Sequence, residues 1–188
     1  MVADGDGCYM NATENEITYR PVTEQPDLSN FSCGKRTIDD HIREAWQIVA
    51  ERRSIVLEIL IDGYLVGFMS YKINPYPSTP IDWDDEDYVS SYDYGAEEYY
   101  YAIHLEYLAL NEPFQSKKIG TAALNWFINL AKTRIPVRYI TLEATPDNIS
   151  WYKKNGFSET ESTDVGNVFM YRDLRDVETL EEIVCQME

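Results

Sequence analysis

The amino-acid sequence predicts an α/β protein, a mixed β-sheet flanked by helices. Strand-like and helix-like segments alternate in the order βαββ, insertion, βαβαβ and terminal helix, and each kind carries an apolar face that needs covering. At 188 residues, one domain should bury roughly 70% of the surface its open chain exposes. The apolar fraction is 44% and the aromatic fraction 13%, with 15 tyrosines, enough to offset the ordering entropy that keeps polar chains unfolded. Residues 1–15 read as a loose N-terminal arm and residues 16–188 as a single domain.

Glu16 to Val22 alternates apolar and polar residues of β-branched and aromatic type, as a half-buried strand should. The next segment places Ile38, Ile42, Ala45, Trp46 and Val49 along one face at helical spacing, an amphipathic helix. Ser54 to Ile61 and Tyr64 to Ile73 flank Asp62-Gly63, a dipeptide whose tolerance of positive φ suits a two-residue hairpin. From about residue 75 to 100 the pattern breaks into prolines, the acidic run Asp82 to Asp87 and a tyrosine-dense stretch. This insertion is either a solvated loop or a lid over a cationic substrate. Tyr101 to Leu110 returns to strand, Ile119 to Ala131 is a helix with Ile119, Ala123, Phe127 and Leu130 inward, and Val137 to Ala144 is another strand. A short helix over Asn148 to Asn155 ends at Gly156, extended chain runs through Asn167 to Arg172, and Val177, Leu180, Ile183 and Met187 suggest a last helix.

Cys8, Cys33 and Cys185 show neither CxxC pairing nor ligand spacing with the histidines, so disulfides and structural zinc are disfavoured. No run of 18 apolar residues is present, and the acidic N-terminus lacks the basic and apolar stretches of a signal peptide, which points to a cytoplasmic protein that spans no membrane. The formal net charge of −17 should repel nucleic acid unless a local basic patch intervenes, and should favour cationic small molecules or basic peptides; solubility alone would also account for it.

Chemistry concentrates in His104 to Phe127, where a strand delivers the loop Gln115-Ser116-Lys117-Lys118-Ile119-Gly120 to the start of a helix. Free amide hydrogens and the helix dipole favour an anion there, and a pyrophosphate suits the place. Lys117 and Lys118 add positive charge, and Gly120 admits close approach to the backbone or is simply a packing glycine.

Leu105-Glu106-Tyr107-Leu108-Ala109-Leu110 followed by Gln115 to Gly120 resembles the fingerprint of the GNAT acetyltransferases, a strand reading like IEYLAV and then Q/R-x-x-G-x-G/A opening a helix. Lys118 stands where that pattern has its first glycine, and at positive φ a lysine is strained by very roughly 1 kcal/mol. A second block, Ala144 to Asn148 and Trp151 to Phe157, is similar to the later motif of the same family, so the likeness covers roughly Glu16 to Arg172.

The resemblance implies the GNAT fold, acetyl-CoA as co-substrate and direct N-acetyl transfer to a primary amine, with no metal. It implies Tyr152 as general acid and Glu106 as base, with His104 and Glu143 in reserve. It further implies Leu108, Leu110, Gln115, Lys117, Lys118, Ile119, Gly120, Thr121 and Asn148 at the cofactor, the Leu108 amide doubling as oxyanion donor. Taken singly, Tyr152 has the alternative reading of a core tyrosine and Glu106 that of a solvated strand residue, and His41 is read as a surface residue. The acceptor is read as a cationic small molecule or peptide amine; nucleic acid is disfavoured and a homodimer is compatible. Two alternatives stand beside this. Phe31 to Gly34 with Ile38-Asp39 and Ile42-Arg43 resembles the first helix of tRNA-acetylating toxins of this fold, against which the charge weighs, and Lys118 suits a non-catalytic acyl-CoA-binding module.

Overall fold

A computed structural model describes residues 17–77, 99–160 and 166–175. The arm, most of the acidic insertion and the expected C-terminal helix lie outside the described residues. In chain order the elements are β1 (Ile17–Pro21), α1 (Arg36–Arg43), α2 (Ala45–Ala50), β2 (Ile55–Ile61), β3 (Tyr64–Pro77) and β4 (Tyr99–Leu110). They continue as α3 (Ile119–Arg134), β5 (Tyr139–Ala144), α4 (Ile149–Lys154), β6 (Ser158–Glu159) and β7 (Val168–Asp173).

The strands form one mixed sheet in the order β1-β2-β3-β4-β5-β7-β6. All neighbours are antiparallel except β4 and β5, which run parallel. A parallel pair needs a crossover, and α3 supplies it. Asp62 and Gly63 have φ of +51° and +82°, the left-handed pair that a two-residue hairpin turn requires, so β2 and β3 pair directly.

Each sheet face has its own core. On one face α3 lays Ala123, Leu124, Phe127 and Ile128 against Ile59, Met69, Ile103, Leu105, Ile140 and Leu142, with Tyr152 and Phe157 closing the end. On the other, Ile42 and Ala45 cover Val56, Phe68 and Ala109.

The continuous first helix expected from the sequence is broken. Glu44, at φ −91° and ψ −1°, closes α1 and opens α2, and its N–H bonds to the carbonyls of His41 and Ile42. The break resets the helical phase. Ile48 is therefore buried while Trp46, expected on the inner face, is 41% exposed.

Two irregularities shape the centre of the sheet. Ser70 pairs with Tyr107 and Tyr71 with Leu105, so Glu106 is the extra residue of a β-bulge in β4. Gly67 lies against the other end of that strand, where a β-carbon would sit 2.5 Å from the Ala109 carbonyl oxygen. Backbone cannot yield as a flexible side chain can. Gly67→Ala should therefore cost about 1–3 kcal/mol by overpacking, read as a lowered urea midpoint with unchanged slope. Gly166→Ala, whose β-carbon meets nothing within 4 Å, should stay within about 0.5 kcal/mol of the parent.

Candidate active site

β4 and β5 pair from Ala102/Tyr139 to Leu105/Leu142. Beyond that rung β4 continues to Leu110 and β5 to Ala144, and no further rung joins them. The bulge at Glu106 lies at the point of separation, where added twist turns β4 aside. A wedge opens between the strand ends, the usual place for a ligand in a sheet of this kind. A cavity of about 550 Å³ fills it. Leu108, Ala109 and Leu110 form the β4 wall; Gln115, Ser116, Lys118, Gly120 and Thr121 form the floor; Asp147, Asn148, Trp151 and Tyr152 form the α4 wall.

The floor is built from strained backbone. After a 3₁₀ turn over Glu112–Phe114, Ser116 and Lys118 take φ of +60° and +63°. Left-handed residues alternating with ordinary ones turn successive amides inward, which makes a nest for an anion. Ala122 N–H makes a bond to the Lys118 carbonyl, which leaves the amides of Ile119, Gly120 and Thr121 at the helix mouth without intrahelical acceptors. The first turn holds no acidic residue. A β-carbon on Gly120 would meet Leu110 at 3.7 Å and Trp151 at 4.0 Å, ordinary van der Waals contact at the cavity wall.

The opposite wall is held in place by packing. Tyr152 is 8% exposed, wedged edge-on between Trp151 and Phe157. Burial pushes its phenol up to about 12, so it stays protonated through the physiological range. The Trp151 indole N–H donates to Thr121 Oγ1 at 3.3 Å, tying α4 to the mouth of α3. Asn148, the N-cap of α4, makes no side-chain capping bond and lines the cavity.

Seven residues singled out from the sequence as cofactor ligands line this one cavity: Leu108, Leu110, Gln115, Lys118, Gly120, Thr121 and Asn148. Tyr152 joins them. Lys117 and Ile119 do not line it. The Lys117 ammonium sits 5.5 Å from the Phe114 ring, and the Ile119 side chain is buried at 9% exposure.

Glu106 also lies off the cavity wall. Its carboxylate accepts the Ser70 hydroxyl at 2.7 Å and pairs with Lys72 at 3.2 Å. Burial would raise its pKa, but hydrogen bonds from Ser54, Ser70 and Lys72 and the lysine charge outweigh that and hold it below the usual value. His104 Nδ1 lies 3.0 Å from Thr141 Oγ1, and burial, then the Lys72 charge, depress its pKa. Glu143 is exposed.

Some features escaped the sequence reading. His41, expected at the surface, sits 4.2 Å from the Tyr107 ring with a buried Nε2 that lacks a hydrogen-bond partner, and burial lowers its pKa. Its position three residues from Ile38 and four from Ala45, on the flank of the apolar stripe, was the available signal. Cys33, Lys35 and Ile38 complete the cavity rim, and the Lys35 ammonium reaches Thr145 Oγ1 at 3.4 Å across the wedge. Nothing in local spacing marks such a contact between distant segments.

No curated protein matches the sequence closely enough to count as a relative. The model of the acetyltransferase (GNAT) family matches residues 22–157. Among solved structures, a bacterial toxin superposes with a TM-score of 0.68 at 18% identity, covering 89% of this chain and 96% of its own. AtaT complexed with acetyl-methionyl-tRNAfMet gives 0.64 at 12% identity, covering 90% of this chain and 99% of its own. AtaTR bound with AcCoA gives 0.66 at 14% identity, covering 88% and 98%. These likenesses establish the fold. They also correct one expectation, that the charge of −17 argues against nucleic acid, because AtaT of this same fold is seen with a tRNA. The physical reason is that net charge is not the local field: among the described residues, Lys35 and Lys118 line the cavity against a single carboxylate, Asp147. With the family match spanning the wedge, the nest and Tyr152, the chain belongs to the GNAT acetyltransferase family, an acyltransferase whose co-substrate is acetyl-CoA.

Proposed function

We propose that residues 16–188 act as one catalytic unit that moves the acetyl group of acetyl-CoA to a primary amine by direct attack. The observation that carries this reading is the convergence of the β4 end, the amide nest and Tyr152 on a single cavity. The nest and the lysines favour a pyrophosphate, and the edge of β4 that β5 leaves, at Leu108 and the Leu110 N–H, offers backbone groups to an amide-bearing arm, the Leu110 carbonyl being taken by Gln115. The Leu108 amide is the candidate donor to the thioester oxygen.

The ammonium first gives one proton to water; the neutral nitrogen then attacks the carbonyl carbon, a C–N bond forms, the C–S bond breaks, and sulfur leaves with the electron pair. The proton released from nitrogen passes through water toward Glu106. That carboxylate is a weak base because Ser70 and Lys72 stabilise its charge, so it serves best after attack, when the nitrogen proton is acidic. Tyr152 donates to sulfur as thiolate charge develops. Since its phenol is pushed up to about 12, well above a thiol near roughly 8.5, its main contribution is a hydrogen bond, with solvent supplying the lasting proton. Cys33, the thiol on the rim, is pushed up to about 11 by burial and by Asp39, a poor nucleophile near neutrality. Direct transfer fits that chemistry better than an acyl-enzyme.

The acceptor is read as an amine that is cationic before reaction. A second reading, the α-amine of an aminoacyl-tRNA, is favoured by the likeness to AtaT in complex with acetyl-methionyl-tRNAfMet. A panel of polyamines, aminoglycosides, basic peptides and aminoacyl-tRNAs, scored by free-CoA release and product mass, decides between them. Turnover of none would overturn both.

Acetyl-CoA should raise the thermal midpoint, since the nest exists only in the folded chain. Gly120→Glu should abolish that rise while folding normally, because its β-carbon makes only ordinary contacts at the cavity wall and the side chain brings bulk and negative charge to the anion site. Tyr152→Phe should lower turnover by about 100-fold, the scale for losing one preorganised donor to developing charge, with acetyl-CoA affinity nearly intact under single-turnover assay. Glu106→Gln should depress the rate where Glu106 is ionised and least at low pH, where the parent's carboxylate is itself protonated, so that the acidic limb of the pH–rate profile flattens. An unchanged limb assigns the proton to solvent or another group.

A further inference from the structure

The segment leading into α1 is stitched to the loop that carries the nest. Ser32 N–H donates to Asn111 Oδ1 at 3.2 Å, Asn111 Nδ2 to the Asn30 carbonyl at 3.2 Å, and Glu112 N–H to the Ser32 carbonyl at 2.9 Å. The segment is also stiff in itself, because the Asp39 carboxylate accepts the Cys33 N–H at 2.9 Å and the Ser32 hydroxyl at 3.1 Å.

Gln115 makes the stitch nearest the cavity. Its Nε2 donates to the Cys33 carbonyl and to the Leu110 carbonyl, both at 2.9 Å. A side-chain amide has two N–H groups and one oxygen. Both donors are engaged, and what remains is Oε1, an acceptor that a phosphate would repel. Gln115 lines the cavity, yet it has no donor left for a pyrophosphate. Its two bonds join the end of β4 to the rim formed by Cys33, Lys35 and Ile38, and Lys35 fastens the far side of that rim at Thr145.

We infer that Gln115 is a positioning residue that ties the rim segment to the end of the cofactor strand, so that filling the acetyl-CoA site and ordering the rim are one coupled event. The coupling rests on the reading of this cavity as the acetyl-CoA site. A bound acyl donor that immobilises Leu110 immobilises Cys33 through one side chain, and the amine then meets an ordered wall. Ordering by a first ligand lowers the cost of binding the second.

Hydrogen exchange of the full chain, free and with acetyl-CoA, tests this in the parent, Gln115→Leu and Gln115→Arg. In free Gln115→Leu, amides of residues 30–38 should exchange on the order of 10-fold faster through loss of two hydrogen bonds. Acetyl-CoA should still shift the midpoint of that variant, while its added protection of residues 30–38 is lost. Gln115→Arg, which keeps several N–H donors, should restore both. Should Gln115→Leu fail to fold, the isosteric Gln115→Glu, whose carboxylate repels both carbonyls, gives the same free-state comparison. Unchanged exchange of residues 30–38 overturns the proposal. So does loss of acetyl-CoA binding without loosening, which would make Gln115 a direct ligand. If acetyl-CoA protects nothing in the parent, the cofactor reading and the coupling fail together, and the free-state comparison alone judges the tie.

Discussion

The parting of β4 from β5 is the constraint on which the site depends. Parallel strands share slanted, evenly spaced bonds, and nothing in that pattern stops at a chosen rung. Here it stops at Leu105/Leu142, one residue before the bulge at Glu106. The extra residue shifts the pleat, so Leu105, Leu108 and Leu110 pack with the α3 core while Ala109 packs on the α1 face. Once the strands separate, the β4 edge beyond Leu105 faces a gap, and the gap is wide enough to receive the start of α3 on one side and α4 on the other. The cavity is therefore a property of backbone register, and side chains refine it.

Elements governed by local rules were legible in the sequence. Asp62-Gly63 could do little but turn, since few other pairs accept two positive φ values. The inner face of α3 followed from Ile119, Ala123 and Phe127, and the site loop followed from a strand ending in a polar run before that helix. What was not legible depends on contacts between distant segments. The break at Glu44 leaves the apolar spacing nearly intact, so periodicity alone reads a single helix through it. The covering of the His41 ring depends on Tyr107, and the rim at Cys33 and Lys35 depends on Asn111, Gln115 and Thr145. Glu106 shows the same divide: the motif located it, but the engagement by Ser70 and Lys72 arises from β3 lying alongside.

Electrostatics followed a similar course. A charge of −17 is a sum over the whole surface, screened within roughly 8 Å at physiological ionic strength, so it says little about a cavity with its own lysines. Among the described residues, two cations and one carboxylate line the wedge. An anionic ligand can approach such a mouth even though the net charge of the chain is negative.

Lys118 brings backbone and charge together. Its φ of +63° is a conformation that a side-chain-bearing residue adopts at a cost of about 1–2 kcal/mol. It stands at the N-cap of α3, where the helix dipole presents positive charge and a lysine is disfavoured by a further ~0.3–1 kcal/mol at an exposed end. In the free protein both effects oppose the residue. An anion seated in the nest reverses the second, because the ammonium and the helix end then share one counter-charge, and it rewards the left-handed geometry that aims the amides inward. A glycine would ease the backbone but bring no charge. On the proposed reading of the cavity as the acetyl-CoA site, Lys118 would offer a pyrophosphate a charge that a relaxed glycine lacks.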